Sequence, residues 1–465
     1  MKRRNYIYIS ALTLTMCLNA CKKPLDIKPT GSIDQTQAIL TAKDVQSTLV
    51  GTYNRMAQSG VYGGEIFLYS DLLATQNIIN WTGTFQDLTQ MVNQEITNDN
   101  NFALTTWQEG YQVINLSNNV LANLKLITVA DDAQRTEGEA KFIRGLMYFD
   151  LARLYGRAWN DGSPSTNLAV PIVLTPTTVV SDASYVPRST VAAVYAQAIS
   201  DLTDAEAKLP EDNLFYANKY SASAILARLY LQQGQYAKAV AEANKVIASG
   251  AFDLTATYDA EFPNGSDAAH FDNTSEDIFA IQVTSQQGVN SFNTFYASSG
   301  FGGRGDIRIK SSFLAGFEAA DERGKFYTVT SVIRTKKFNN NFGNAHVVRL
   351  AEMYLIRAEG NIRSNTAVGA TPQSDVNTIR ARAGLAGKLA ADFVPVGGTP
   401  NPLGVADILT ERIHELSFEG GFFLQDAKRL QQNVGALPYN SPKLILPVPL
   451  REIQTNPKLV QNEGY

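Results

Sequence analysis

The sequence predicts a mainly α fold interrupted by one irregular, loop-rich region with short strands. Apolar residues recur at steps of three and four through most of the chain, the spacing of a single helical face. From about 251 to 345 that period lapses into polar, Gly- and Asn-rich sequence with strand-like pieces such as Ile278 to Val283. An irregular region of that length inside a packed protein is usually functional rather than connecting. The apolar fraction of 44% and aromatic fraction of 10% provide for an ordinary core, against disordered or collagen-like classes. With 44 acidic against 40 basic residues the net charge is −4, so no nucleic-acid surface is expected.

The elements follow in order. Lys2, Arg3 and Arg4 precede a mostly apolar run from Tyr6 to Leu18, too short to span a bilayer but the length of a secretory h-region. Leu18-Asn19-Ala20-Cys21 then resembles a bacterial lipobox, with a small residue before the cysteine. The reading is a signal peptide over 1–20 and lipidation of Cys21, whose several acyl chains give stable anchoring. Cys17 lies in the removed segment, so the mature chain has neither an intrachain disulfide nor a cysteine metal site. Residues 21–32, with two prolines and a glycine, read as a tether, and 21–465 as one domain.

Helical faces run from Trp107 to Leu126, Glu137 to Tyr155, Val191 to Leu209, Ser221 to Gln232 and Tyr236 to Ala248. Others run from Val347 to Arg363, Ser374 to Ala383 and Val405 to Phe418. In the third, Val191, Val194, Tyr195, Ala198, Leu202, Ala205 and Leu209 share one face, and Pro210 stops the run. One helix pair keeps tetratricopeptide spacings: Leu226-Ala227, Tyr230, Gly234, Tyr236 and Ala239. Small residues there let two helices approach while tyrosines fill the gaps. Tyr148 and Tyr354 sit in similar local settings.

Several blocks together carry a resemblance. They are Leu25-Asp26-Ile27-Lys28-Pro29, Trp107-Gln108-Glu109-Gly110-Tyr111 and Glu137 to Arg144 with Leu154-Tyr155-Gly156. Arg349 to Glu359, Asn377 to Leu385 and the ending Leu446-Pro447-Val448-Pro449 through Asn462-Glu463-Gly464-Tyr465 complete the set. In that order they resemble the SusD/RagB family of Bacteroidetes outer-membrane lipoproteins, nutrient-binding partners of TonB-dependent transporters. The segment Gly421-Phe422-Phe423-Leu424-Gln425-Asp426 departs from the family pattern and reads one residue longer.

The resemblance implies a SusD-like fold, with four imperfect tetratricopeptide-like helix pairs as scaffold and an irregular subdomain on the other side. It implies a surface-facing lipid anchor in the outer membrane and a SusC-like transporter as partner. The ligand it implies is an oligosaccharide, or in some members a peptide. A scaffold that recruits proteins without binding ligand is the alternative. No cofactor or metal is expected, and no catalysis.

Glu411, Glu415 and Glu419 fall at i, i+4 and i+8, but neighbours on one helix face pair with cations or water, whereas glycosidase carboxylates flank a sugar. His270, His346 and His414 are scattered and lack ligand spacing. No G-x-S-x-G occurs. Gly300 to Gly305 satisfies G-x-G-x-x-G without a preceding buried strand, which points to a loop. The Arg304-Gly305-Asp306 tripeptide within it is short enough to arise by chance. Sugar rings stack on exposed aromatics while their hydroxyls need fixed polar partners. Trp81, in the polar stretch Asn80 to Thr84, has the least packing reason to be there. Trp81 with Asn77 is therefore one candidate ligand contact, and Tyr296, Phe301 and Arg304 form the other. Trp107 is read as a core residue, and Trp159 as lining the scaffold edge.

Overall fold

The computed structural model describes residues 39–264, 270–286, 288–388 and 403–465. The signal peptide, Cys21 and the tether lie outside the described residues. The described helices are α1 (Ala42–Met56), α2 (Glu65–Ala74), α3 (Gln86–Val92), α4 (Asn101–Ala122), α5 (Ala130–Tyr155), α6 (Val191–Lys208), α7 (Lys219–Gln232) and α8 (Tyr236–Ser249). They continue with α9 (Ser291–Tyr296), α10 (Ser311–Leu314), α11 (Glu322–Lys325), α12 (Leu350–Ser364), α13 (Pro372–Arg382), α14 (Val405–Leu416), α15 (Phe422–Arg429) and α16 (Leu450–Thr455). The strands are β1 (Ile79–Trp81), β2 (Asp277–Ile281), β3 (Ile307–Ile309), β4 (Tyr327–Val329), β5 (Ile333–Thr335) and β6 (Ala345–Arg349). The fold is mainly α, as the sequence implies.

Short polar caps begin the long helices. Asn100 Oδ1 accepts from the Ala103 N–H at α4, Thr190 Oγ1 from Ala193 at α6, and Asn218 Oδ1 from Ser221 at α7. The helices stack serially: α1 on α4, then α5, α6, α7 and α8, with α8 against α12 and α12 carrying α13 and α14. This arrangement is consistent with tetratricopeptide-like pairs. The α8–α12 contact brings together the two ends of the irregular region. Close approach there depends on Gly360, where a Cβ would stand 2.5 Å from Val240 Cγ2. Between α5 and α6 the buried Arg144 guanidinium grips Asp201 through Nε at 2.8 Å and Nη2 at 2.7 Å.

Three helical expectations shift. Val347 to Arg349 belongs to strand β6, antiparallel to β2, because a pairing partner distant in sequence outweighs local helical spacing. The expected helix at 405–418 stops at Leu416, since Phe418 adopts φ 67°. Leu124 to Leu126 is a separate 3₁₀ turn beyond α4. At the departure from the family pattern, Gly421 (φ 68°) precedes α15 and backs onto Ser70 of α2, where a Cβ would meet Ser70 Cβ at 2.6 Å.

The irregular side contains two small sheets. One is the β2–β6 pair; the other has strand order β1-β3-β5-β4, all antiparallel. β1 comes from the N-terminal part of the chain and β3 to β5 from the irregular region, so this sheet ties the two together.

Candidate functional site

The strand pairing Ile79↔Ile309, Asn80↔Arg308 and Trp81↔Ile307 joins the two stretches singled out in the sequence. Past the strand the junction continues, with the Thr82 N–H donating to Asp306 O at 2.8 Å and its Oγ1–H to the same carbonyl at 3.0 Å. What read as two separate aromatic loops is one surface.

Trp81 is half-buried at its edge. Its indole N–H donates to Thr89 Oγ1 at 2.9 Å, and its ring lies 6.0 Å from that of Phe295. Gly83 sits against the indole: a Cβ there would fall 2.3 Å from Cζ2. The N–H is thus already committed, and what Trp81 offers a ligand is ring surface. Phe85, 40% exposed, packs edge-on to Phe295 and Phe102. The Arg304 guanidinium lies over the Phe85 ring at 4.9 Å, donates from Nε to Asp306 Oδ2 at 2.7 Å, and reaches Thr84 Oγ1 at 3.3 Å. Phe301 is half-buried in a 3₁₀ turn ahead of Gly302. The glycine-rich stretch then leads through Gly305 (φ 66°) into strand β3 rather than into a helix. A dinucleotide turn needs the opposite order.

Two candidates fall elsewhere. Tyr296 is fully buried on α9, its hydroxyl donating to Asp71 Oδ2 at 3.1 Å and its ring among Phe292, Phe338 and Phe418. It cannot present a face to ligand. The spacing Phe292, Phe295, Tyr296 is i, i+3, i+4, the signature of an inward helical stripe, which outweighs the loop character of the flanking sequence. Asn77 is exposed in the turn before β1, at the opposite end of the strand from Trp81. The sequence reading missed Phe85, Thr84 and Phe295; Phe85 follows Trp81 in the same polar stretch and carries the same signal.

Burial raises Asp71 to about 8, although the Tyr296 hydroxyl opposes the shift. Two clefts among the described residues lie away from this surface. One of about 510 Å³ runs between α4 and α16, but Trp107 in its wall is 3% exposed and Tyr111 donates to Pro171 O. The other, about 340 Å³, lies along α14 and α15 and is lined largely by apolar side chains.

The carboxylates of the sequence row are occupied. Arg349 binds Glu276 and Glu415 through Nη1 at 2.5 and 2.6 Å and Glu419 through Nε at 2.7 Å. Lys337 holds Glu419 at 2.5 Å, Arg323 holds Glu411 at 2.5 Å, and Arg382 pairs with Glu415. Burial works against ionisation, but Arg349 and Lys337 prevail and hold Glu419 down to about 2. His346 Nδ1 lies 2.5 Å from Asp277 and 3.6 Å from Glu261. These three side chains could hold a metal ion, their ligand atoms lying within 4.8 Å of one another. Their separation along the chain hides the group from any spacing rule.

Among the described residues, no helix is long and apolar enough to cross a membrane. Residues 24–231 match a family profile described as SusD-like, starch-binding and associating with the outer membrane, and 320–430 match the SusD family profile. SusD-like protein P2 of Formosa agariphila is 27% identical over 304 residues, 64% of this chain and 57% of its own length. SusD-like protein P38 of the same organism is 26% identical over 258 residues, 55% of this chain and 48% of its own. The chain thus spans about half the length of these relatives. A SusD superfamily protein of Bacteroides thetaiotaomicron superposes with TM-score 0.78 at 23% identity, covering 91% of this chain and 100% of that one. A putative sugar binding protein of Bacteroides vulgatus gives 0.78 at 24%, covering 92% and 99%. The serial helical stack, the irregular side built on β1 to β6 and the two profile matches lead to one assignment: this chain belongs to the SusD/RagB family.

Proposed function

We propose that this protein binds oligosaccharide at the outer membrane and delivers it to a SusC-like TonB-dependent transporter. One observation carries the reading: β1–β3 pairing joins Trp81, Phe85 and Arg304 into a single exposed surface of ring faces and polar groups. Ring faces suit the C–H faces of sugars, while Arg304 and Thr84 are partners for hydroxyls. Phe301 on the adjoining turn extends the apolar part. Two proteins of the same fold, a putative sugar binding protein of Bacteroides vulgatus and surface glycan-binding protein A of Bacteroides uniformis, support the same ligand class. Cys21 in its lipobox is the anchor, oriented to the cell surface, and the serial helical side is the face offered to the transporter.

The test is retardation of the purified protein in native gels containing soluble polysaccharides, with Phe85→Ala and Trp81→Ala alongside. Retardation of wild type and its loss in both variants is expected. Wild-type mobility unchanged by every glycan, together with saturable binding of peptides, overturns the ligand class. Co-purification with an outer-membrane barrel in mild detergent tests delivery; recovery free of any barrel, from cells that make the transporter, overturns it.

A further inference from the structure

Two arginines on the outer face of the four-stranded sheet are left unused by this reading. Arg308 alternates with Ile307 and Ile309, which are buried, so its side chain leaves the opposite face. The pairing Ile309↔Ile333 sets Arg334 of β5 beside it, between Thr328 of β4 and Arg308, while Asn80 of β1 flanks Arg308 on the far side. Like charges directly opposite across an antiparallel pair destabilise a sheet.

Nothing among the described residues relieves them. The Nε of each is buried and without a hydrogen-bond partner. Arg334 Nη2 makes one long contact, 3.4 Å to Gly305 O, and neither guanidinium pairs with a carboxylate among the described residues. Burial, reinforced by the Arg308 charge, lowers the proton affinity of Arg334. The backbone also makes room. At Gly305 a Cβ would stand 2.6 Å from Arg334 Nε, so the turn is shaped around this guanidinium. Gly305 adjoins Arg304, whose side chain caps Phe85, which makes the pair continuous with the aromatic surface.

We propose that Arg308 and Arg334 form an oxyanion subsite for a carboxylate or sulfate substituent of the bound saccharide, making the ligand an acidic glycan. The inference rests on the glycan reading above. Guanidinium forks match both oxyanions bidentately, and such charge-assisted bonds are about twice as strong as neutral ones. An anion between them turns mutual repulsion into attraction. Two guanidiniums on a chain of net charge −4 make a point site, unlike the basic clusters that read membranes or nucleic acid.

The experiment compares the full chain in detergent with Arg308→Gln/Arg334→Gln. Calorimetry would use an oligogalacturonate, a sulfated galactan oligosaccharide and a neutral galactan oligosaccharide of equal length. The neutral and acidic galactans separate charge from sugar, and the two acidic probes separate carboxylate from sulfate. At least one acidic probe should bind roughly tenfold tighter than the neutral one. The double variant should erase that preference, keep its affinity for the neutral probe, and melt no lower than wild type because a repulsion is gone. Sodium sulfate against sodium chloride at equal ionic strength should raise the wild-type melting temperature and not the variant's. Equal affinity of wild type for all three probes, or an acidic preference that survives in the variant, overturns the subsite. So does anionic phosphatidylglycerol vesicle binding that the double variant abolishes, which would assign the pair to a membrane. If no glycan binds but the sulfate effect is present in wild type and absent in the variant, the glycan reading fails and the oxyanion site stands.

Discussion

Gly83→Ala probes the proposed ligand surface without removing a single atom from it. The glycine is outside the left-handed region, so alanine fits its backbone. The added methyl, however, would lie 2.3 Å from Trp81 Cζ2, 2.6 Å from Cη2 and 2.8 Å from Cε2. Carbon atoms rest at about 3.5–4.0 Å, so the indole must move by roughly 1 Å or more. Its N–H bond to Thr89 Oγ1, now 2.9 Å, lengthens with it at a cost of about 0.5–1.5 kcal/mol. Covering one indole face with a sugar removes about 80 Å² of apolar surface, roughly 2 kcal/mol or thirtyfold in affinity. Trp81→Ala sets that ceiling, and Gly83→Ala should lose a few-fold to tenfold of it. Isothermal titration with a retained glycan reads the affinity, and tryptophan emission reports the displaced indole. If emission shifts while affinity equals wild type, the ring is not a stacking platform and the surface has been placed wrongly. Trp81→Phe, which keeps an aromatic face, should fall between the two.

Three further outcomes are expected. Trp107→Ala should lower stability by about 3–5 kcal/mol in denaturant titration and spare glycan affinity, since Trp107 is buried edge-on against Tyr155 at 5.0 Å. Asp71, near 4 when unfolded and raised to about 8 by burial, favours folding fully below pH 4 and loses that contribution as pH climbs through 8. Denaturation midpoints of wild type should therefore fall over that window, and Asp71→Asn, which cannot ionise, should flatten the decline; an unchanged slope refutes it. Cys21→Ala should abolish both fatty-acid labelling and membrane retention, with persistent label counting against lipidation at that residue.

How much was legible depends on whether a feature's cause is local. α6 was readable nearly to the residue because the Thr190 cap, the apolar face and the Pro210 stop are all adjacent in sequence. α2 was not, because residues Glu65 to Leu73 are buried on every side and leave no amphipathic period to detect. Trp81 and Arg304 were each visible as loop residues with little packing reason. Their union was not, since Thr82 meets Asp306 across 224 residues through strands of three residues. Arg334 gave no signal at all, because its neighbour Arg308 is set by strand register alone. Tyr296 carries a local signal, its helical stripe with Phe292 and Phe295, which the glycine-rich sequence that follows obscures.

The acidic row of the sequence is consistent with placing the proposed ligand contact on the sheet surface rather than in the helical body. Charges taken out of water are costly, and only complete pairing offsets that cost. Glu411, Glu415 and Glu419 achieve it by drawing cations from both halves of the molecule: Arg382 from α13 on the scaffold, Lys337 and Arg323 from the irregular region, and Arg349 where β6 runs into α12. Glu415 and Glu419 each bind more than one of these cations, so the cluster fastens the irregular side to the scaffold. A carboxylate held down to about 2, as Glu419 is, has no proton to give near neutral pH. What these carboxylates supply is rigidity. On that fixed base, β5 and β3 carry the pairing out to β1, and the aromatic surface at Trp81 and Phe85 is presented already formed, so the proposed saccharide would have little ordering left to induce.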